Sequence, residues 1–352
     1  MTLEELIGEI SEVDRAAMEL AERRWDSIAK PLHSLGLLED VVVRMAGIER
    51  THRVTVGKKA VVVMCADNGV VVEGVTQTGQ EITAIVAENM TRSSTCVCRM
   101  SAVAGADVIP VDMGCCRPLD EKVLNRCIRP GGTANMTQGP SMTREECVQA
   151  ILTGAELVMD LKKQGYGLIA TGEMGIGNTT TSSALVSVLL EQSVSAVTGR
   201  GAGLSSRGLE RKIAAIEKAV LVNQPDRNDP LDVLHKVGGL DIAGLVGVFL
   251  GCGVCGVPVL VDGFISAAAA LTAVRLCPRV SDYLIASHVS KEPAGQLVLD
   301  ALGLKPFLRA EMCLGEGSGA VAVMPLIEMA LAVYNGMSTF EETNIEAYTP
   351  QS

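Results

Sequence analysis

The chain has 352 residues, 48% of them hydrophobic and 3% aromatic, with 30 Lys+Arg against 41 Asp+Glu for a net charge of −11. That apolar fraction excludes a disordered chain, and the length suits a large core, about two domains, without disulfides or structural metal. The acidic balance, with no basic stripe or interleaved aromatics, argues against nucleic acid as a partner.

The first 30 residues read as one helix. Thr2 and Glu5 have the spacing of a capping box, and Leu6, Ile10, Val13, Ala17 and Leu20 fall on one stripe. Lys30-Pro31 stops it, because proline disfavours helix in the residue before it. Short β-branched runs then alternate with helical stretches. Ala60–Cys65 leads to Asp67-Asn68-Gly69, Val108–Asp112 to Gly114, and Gly167–Thr171 to Gly172-Glu173. Val257–Asp262 leads to Gly263, and Tyr283–Ala286 to Ser287-His288. Helical patterns cover Glu81–Ala102, Arg144–Gln164 and Ala267–Arg275 between them. Val321–Met337 reads as a last apolar helix ended near Asn335-Gly336, and residues 341–352 as a loose tail.

Apolar runs alternating with helices predict βαβ units, hence a doubly wound parallel α/β sheet with helices on both faces. The ends add a small helical domain, residues 1–40 with 322–352, to an α/β catalytic domain over 41–321. Ligands of such sheets bind beyond the carboxyl ends of the strands. Asp67, Asp112, Glu173 and Asp262 close those strands, so each is either a site acid or a local cap.

Eleven cysteines lack metal or disulfide spacing. Cys252 and Cys255 form a C-x-x-C with no second pair or histidine nearby. An odd thiol count and an N-terminus unlike a targeting sequence fit a reducing cytoplasm. No apolar run reaches the ~18 residues of a membrane span. Four histidines make no ligand cluster and no G-x-S-x-G occurs, so metal and serine-hydrolase chemistry lack their parts.

Three glycine-rich turns carry chemical potential. Thr171-Gly-Glu-Met-Gly-Ile-Gly-Asn-Thr-Thr180 follows a strand and opens a helix, the grammar of a phosphate cradle without a Walker lysine. Thr198-Gly-Arg-Gly-Ala-Gly203 is followed by Lys212, which suits a monophosphate as a point charge or is a solvated surface lysine. Leu314-Gly-Glu-Gly-Ser-Gly319 sets Glu316 on a tight turn before the last helix, as a helix-terminal acid or as a general base.

These turns occur in order with Val63-Met-Cys-Ala-Asp-Asn-Gly69, Asn89-Met-Thr91, Asn223-Gln-Pro225, Lys236-Val-Gly-Gly239 and Asp262-Gly-Phe264. Together, over about residues 30–344, the chain resembles the nicotinate-nucleotide:dimethylbenzimidazole phosphoribosyltransferase family, which activates the lower ligand of cobamides. The resemblance implies the same fold and an enzyme that moves the phosphoribosyl group of nicotinate mononucleotide onto a lower-ligand base. Nicotinate is released and the anomeric carbon inverts from β to α. It implies no metal or organic cofactor, and a homodimer or a heterodimer of related chains.

Carried over by position, the resemblance makes Glu316 the catalytic base and Glu173 a second acid. It puts Gly175, Gly177, Asn178, Gly201, Ala202, Lys212 and Ser290 around the 5′-phosphate and ribose, and Thr78, Val86 and Leu314 around the acceptor. Thr78, Val86 and Asn68 stand where the family pattern carries Ser, Gln and His, and Pro31-Leu-His-Ser-Leu-Gly36 departs from P-x-G-S-L-G. Losing a polar amide at Val86 implies acceptors other than benzimidazoles, phenols included. The alternative is a non-catalytic or partner-dependent paralogue, a subunit of a heterodimeric enzyme; Glu316, Glu173 and Lys212 speak against full loss of activity.

Overall fold

The computed structural model describes residues 1–348. Six parallel strands form one sheet: β1 (Lys58–Ala66), β2 (Ala106–Gly114), β3 (Leu124–Asn125), β4 (Tyr166–Met174), β5 (Val259–Val261) and β6 (Leu284–Ala286). Their order is β3-β2-β1-β4-β5-β6. The chain runs outward from β1 to one edge, then returns to build the other half from β4. The switch point, where such sheets open a crevice, therefore lies between the carboxyl ends of β1 and β4. Each predicted run holds a strand. Only β3 lacked a signal, since two residues show no periodicity.

Alternation along β1 sorts its side chains onto two cores. Ala60, Val62, Met64 and Ala66 join one cluster, and Val61, Val63 and Cys65 the other. Helices cover both faces, as a sheet buried on both sides requires.

The ends of the chain differ from the single-stripe reading. The Thr2–Glu5 capping box forms, but the first helix spans only Leu3–Glu9. A second, Arg15–Ser27, starts anew from Asp14, whose carboxylate accepts the Ala17 N–H at 3.0 Å. Leu6, Ile10 and Val13 pack into one core while Ala21 and Trp25 pack into the other, so the two helices lie on opposite faces of the sheet. Leu20 is exposed. The second helix meets the C-terminal one through Trp25 and Tyr334, ring centroids 5.1 Å apart, and Ile28 bridges Thr339.

The C-terminal helix, Ser318–Gly336, has the length and apolarity of a membrane span, yet Ala320, Val323 and Met324 are fully buried in the sheet's core. The tail is not loose throughout: Phe340–Thr343 forms a capped turn of helix with Phe340 buried. Positions 349–352 lie outside the described residues. The stretch read as one helix over Glu81–Ala102 is two, Glu81–Thr91 and Cys96–Ala104, separated at Ser93 with φ 55°. That break gives the second helix an N-terminus inside the crevice.

Helices Arg144–Lys163 and Leu240–Cys255 form the tightest layer beneath the sheet. A Cβ on Gly247 would lie 1.9 Å from the Ile151 carbonyl oxygen, and one on Gly154 2.1 Å from that of Gly244. The obstacles are backbone atoms, which cannot rotate away. Gly247→Ala is therefore expected to cost about 3 kcal/mol, the upper end of ordinary overpacking, measured as a lower urea midpoint with unchanged slope.

Candidate active site

At the end of β4, Glu173 is buried, hydrogen-bonded through one carboxylate oxygen to the Asn178 side-chain amide. The turn carrying Glu316 lies directly over it. The Glu316 N–H donates to the Glu173 carbonyl at 3.1 Å. This contact depends on two glycines. A Cβ on Gly172 would sit 2.5 Å from the Glu316 carbonyl oxygen, and one on Gly315 2.0 Å from Glu173 Oε1. The two motifs thus interlock backbone to backbone. Glu316 itself takes φ 67°, a left-handed turn conformation that exacts strain from a residue with a Cβ.

The Glu316 carboxylate accepts the Val97 N–H at 3.2 Å, at the N-terminus of helix Cys96–Ala104. That donor favours the charged form, but desolvation prevails and raises the pKa. So the opposing helix end is not the one Glu316 precedes but one across the crevice.

Asp262, at the end of β5, accepts the Ala320 N–H at 2.9 Å and the Gly317 N–H at 3.2 Å. It caps the last helix and anchors the Glu316 turn. Burial pushes its carboxyl up to about 7. Asp241, at the start of helix Leu240–Cys255, is fully buried and accepts from Asn178 Nδ2 at 2.9 Å. Burial raises it to about 6, and raises Glu173 to about 8 with help from the Asp241, Asp262 and Glu316 charges. Four acids therefore converge on the switch point, and among the described residues no lysine or arginine pairs with any of them.

The remaining strand-end acids serve local turns. The Asp67 carboxylate accepts the Cys116 N–H, and its carbonyl accepts the Thr133 N–H at 3.0 Å. Asp112 Oδ1 takes the Gly114 N–H at 2.9 Å.

A second cluster lies past the β4 turn. Lys212 is fully buried, not solvated, and its Nζ donates to Thr179 Oγ1 at 2.8 Å. The Gly201 turn closes over both: a Cβ there would be 2.9 Å from Thr179 Oγ1 and 3.5 Å from Lys212 Nζ. Gln77 Nε2 holds the Ala202 carbonyl at 2.9 Å, tying the loop of Thr78 to this turn. On the other side, Ser290 is buried with its hydroxyl accepting from the Glu292 N–H at 3.3 Å. Desolvation lowers the Lys212 pKa to about 8, with Glu292 opposing. An oxyanion entering beside Thr179 would meet one buried ammonium, its hydroxyl partner and a glycine turn, with the Glu292 carboxylate near by.

An acid-lined switch point thus adjoins a buried lysine–threonine pair. The phosphoribosyltransferase family pattern matches residues 10–345. The chain belongs to this family. It is 46% identical over 343 residues to the nicotinate-nucleotide–dimethylbenzimidazole phosphoribosyltransferase of Acetivibrio thermocellus, covering 97% of each chain. It is 48% identical over 345 residues to that of Alkaliphilus metalliredigens, covering 97% of this chain and 99% of the relative. The crystal structure of CobT from Thermus thermophilus superposes with TM-score 0.89 at 38% identity, covering 95% of this chain and all of the other.

In this phosphoribosyltransferase, Glu173, Glu316, Gly175, Gly177 and Asn178 share one crevice, with Gly201, Lys212 and Ser290 at its second pocket. The Asn178 side chain faces Glu173 and Asp241. Gly175 likewise makes room for protein, since a Cβ there would lie 2.3 Å from Asp241 Oδ2. Val86 is half-buried against the upper core, while Thr78 and Leu314 are exposed. Sequence reasoning missed Thr179, Gln77 and Asp241. The signal for Asp241 was an acid opening a helix directly after Gly238-Gly239.

Lys212 also makes a stability prediction. Its folded pKa lies below the free-lysine value, so charging it opposes folding. That penalty, on the order of 3 kcal/mol for a shift from 10.5 to about 8, is fully present below about pH 8 and fades as pH rises toward 10.5. Lys212→Met is thus expected to raise the ligand-free melting temperature at neutral pH, with the gain shrinking in alkaline buffer. A melting temperature lowered equally at all pH would contradict this.

Proposed function

We propose that the chain transfers the 5-phosphoribosyl group of nicotinate mononucleotide to a cobamide lower-ligand base, a benzimidazole or a phenol, giving the α-nucleotide and free nicotinate. The observation that carries the reading is Glu316: a partly desolvated carboxylate on a rigid turn over a second acid, in a chain of this family that also buries Lys212 beside Thr179 and the Gly201 turn.

The chemistry asks little of the leaving group. Nicotinate is bonded through a cationic ring nitrogen, and cleavage of that bond returns the electron pair and a neutral ring nitrogen. The neutral acceptor uses its own lone pair to bond the anomeric carbon and must shed a proton. Glu316 takes that proton, its raised pKa making it a better base than a solvated carboxylate. Lys212, Thr179 and Ser290, with the backbone at Gly175, Gly177, Gly201 and Ala202, hold the phosphate and ribose. Thr78, Val86 and Leu314 form the acceptor wall. The same reading includes a cytoplasmic assembly of two chains, identical or related, which light scattering tests.

Glu316→Gln preserves shape and polarity but removes the base. It is expected to cost about 10²–10⁴-fold in turnover while nucleotide affinity stays within a few-fold. With a phenol acceptor, part of the loss should return at high pH, where phenolate needs no base. Near-normal turnover in that variant at neutral pH would remove Glu316 from the role.

Val86 leaves no buried amide unpaired when a ring without a second nitrogen binds. Phenol or p-cresol should therefore compete with dimethylbenzimidazole in a mixed-acceptor assay, and Val86→Gln should shift products toward benzimidazoles. Exclusive use of dimethylbenzimidazole by the unaltered enzyme would reject this wall as the determinant.

A further inference from the structure

Asp241 has no place in the roles above, yet the fold goes to some length to hold it. It is fully buried between two glycines: a Cβ on Gly239 would lie 2.4 Å from its Oδ1, and one on Gly175 2.3 Å from its Oδ2. Oδ1 accepts the Ile242 N–H at 3.0 Å, in the first turn of helix Leu240–Cys255. Oδ2 accepts from Asn178 Nδ2 at 2.9 Å, and the same amide nitrogen donates to Glu173. One NH₂ group thus bridges two buried carboxyls, and no cation pairs with either among the described residues.

Two carboxylates so placed do not both ionise at neutral pH, because each charge disfavours the other where water cannot screen it. Their surroundings decide which keeps the proton. Asp241 sits at the N-terminus of a 16-residue helix, where the aligned peptide dipoles favour an anion. Glu173 sits at a strand end, with Glu316 stacked over its backbone and no backbone N–H donated to its carboxylate among the described hydrogen bonds.

We propose that Asp241 is a positioning residue that keeps the proton on Glu173, so that Glu316 remains the ionised carboxylate facing the acceptor. The inference rests on the reading of Glu316 as the base. Burial favours the proton on Glu173 in any case, and the Asp241 charge adds to it. Without that charge Glu173 would hold the proton less firmly, and the fraction that ionises would push the proton toward Glu316. The other groups facing the pair agree. Asp262 and Glu316 add negative charge toward Glu173, and the buried Cys65 thiol on β1 is held neutral. His288, beside Asp262, is held toward its neutral form by burial. The Lys212 ammonium is spent on Thr179. The separation of the pair, Asp241 at about 6 and Glu173 at about 8, has the same sense.

Infrared difference spectroscopy tests this without turnover. Wild type minus Glu173→Gln at neutral pH should show the C=O stretch of a buried carboxylic acid, fading as pH passes about 8. In Asp241→Asn that band should fade at a lower pH than in the unaltered enzyme, and the acid limb of the kcat profile should move up. Asp241→Ser, which adds no bulk between the glycines, carries the same two expectations should the asparagine variant not fold. The proposal is overturned if wild type lacks the band, if the band fades at the same pH once the Asp241 charge is removed, or if kcat falls by one factor at every pH. Because the spectrum reads Glu173 alone, its outcome is separate from whether Glu316→Gln retains turnover.

Discussion

The backbone contact between the end of β4 and the turn before the last helix governs the rest of the crevice. Gly172 and Gly315 let two chain segments more than 140 residues apart approach to hydrogen-bonding distance. Glu173 and Glu316 thereby occupy adjoining positions on rigid elements. Asp262 fastens the upper segment through two N–H groups, and the Cys96–Ala104 helix meets the Glu316 carboxylate from the far side. A site built this way has little freedom to collapse when it is desolvated, which is what lets burial raise the acids rather than simply drive them apart.

The charges of the site are divided in space as those of the proposed donor are. Nicotinate mononucleotide is cationic at its ring nitrogen and anionic at its phosphate. Glu173, Asp241, Asp262 and Glu316 crowd the switch point, while Lys212 lies in the neighbouring pocket beside Thr179, with Glu292 as the carboxylate near it. Each cluster is expensive on its own. Buried carboxyls without a cation hold protons they would lose in water, and a buried ammonium with one hydroxyl partner is close to losing its own. A ligand with both charges relieves both costs at once, and neither charge alone would do so. Strain held in the site is therefore a source of selectivity for a dipolar donor.

Much of this was legible in the sequence, because it resides in strong local patterns. The β-branched runs of β1, β2 and β4 and the glycines that end them place Glu173 and Glu316 at strand-end and helix-start positions from the sequence alone. What failed was of longer range. The stripe through Leu6, Ile10 and Ala17 has helical spacing, but Asp14 caps a new helix that carries Ala21 and Trp25 to the opposite face of the sheet. Periodicity reports which residues share a face, and it cannot report that the face changes side. Asp241 was missed for a related reason. Its neighbours Gly175, Asn178 and Asn68 come from distant segments, and nothing local distinguishes a partnered buried acid from a helix cap. Asn178 is legible as a helix-start residue, but the direction of its amide is not, since that depends on Asp241 and Glu173.

The donor and acceptor sides of the crevice are also built to different tolerances. Glu173, Asp241, Asp262 and Glu316 hang from strand ends and helix starts, Lys212 is buried along helix Ser206–Asn223 and Ser290 is buried in the loop after β6, so altering one disturbs packing as well as contact. Thr78 and Leu314 are exposed on loops, and Val86 is only half-buried on one helix face. Substitution there costs little stability, because surface positions away from caps and cores are nearly neutral. With the roles proposed above, acceptor preference can therefore change through a few side chains while the buried acids and the Lys212 cluster stay fixed. The departures from the family pattern at Thr78 and Val86, with Glu316, Glu173 and Lys212 all in place, are what that division of labour would produce.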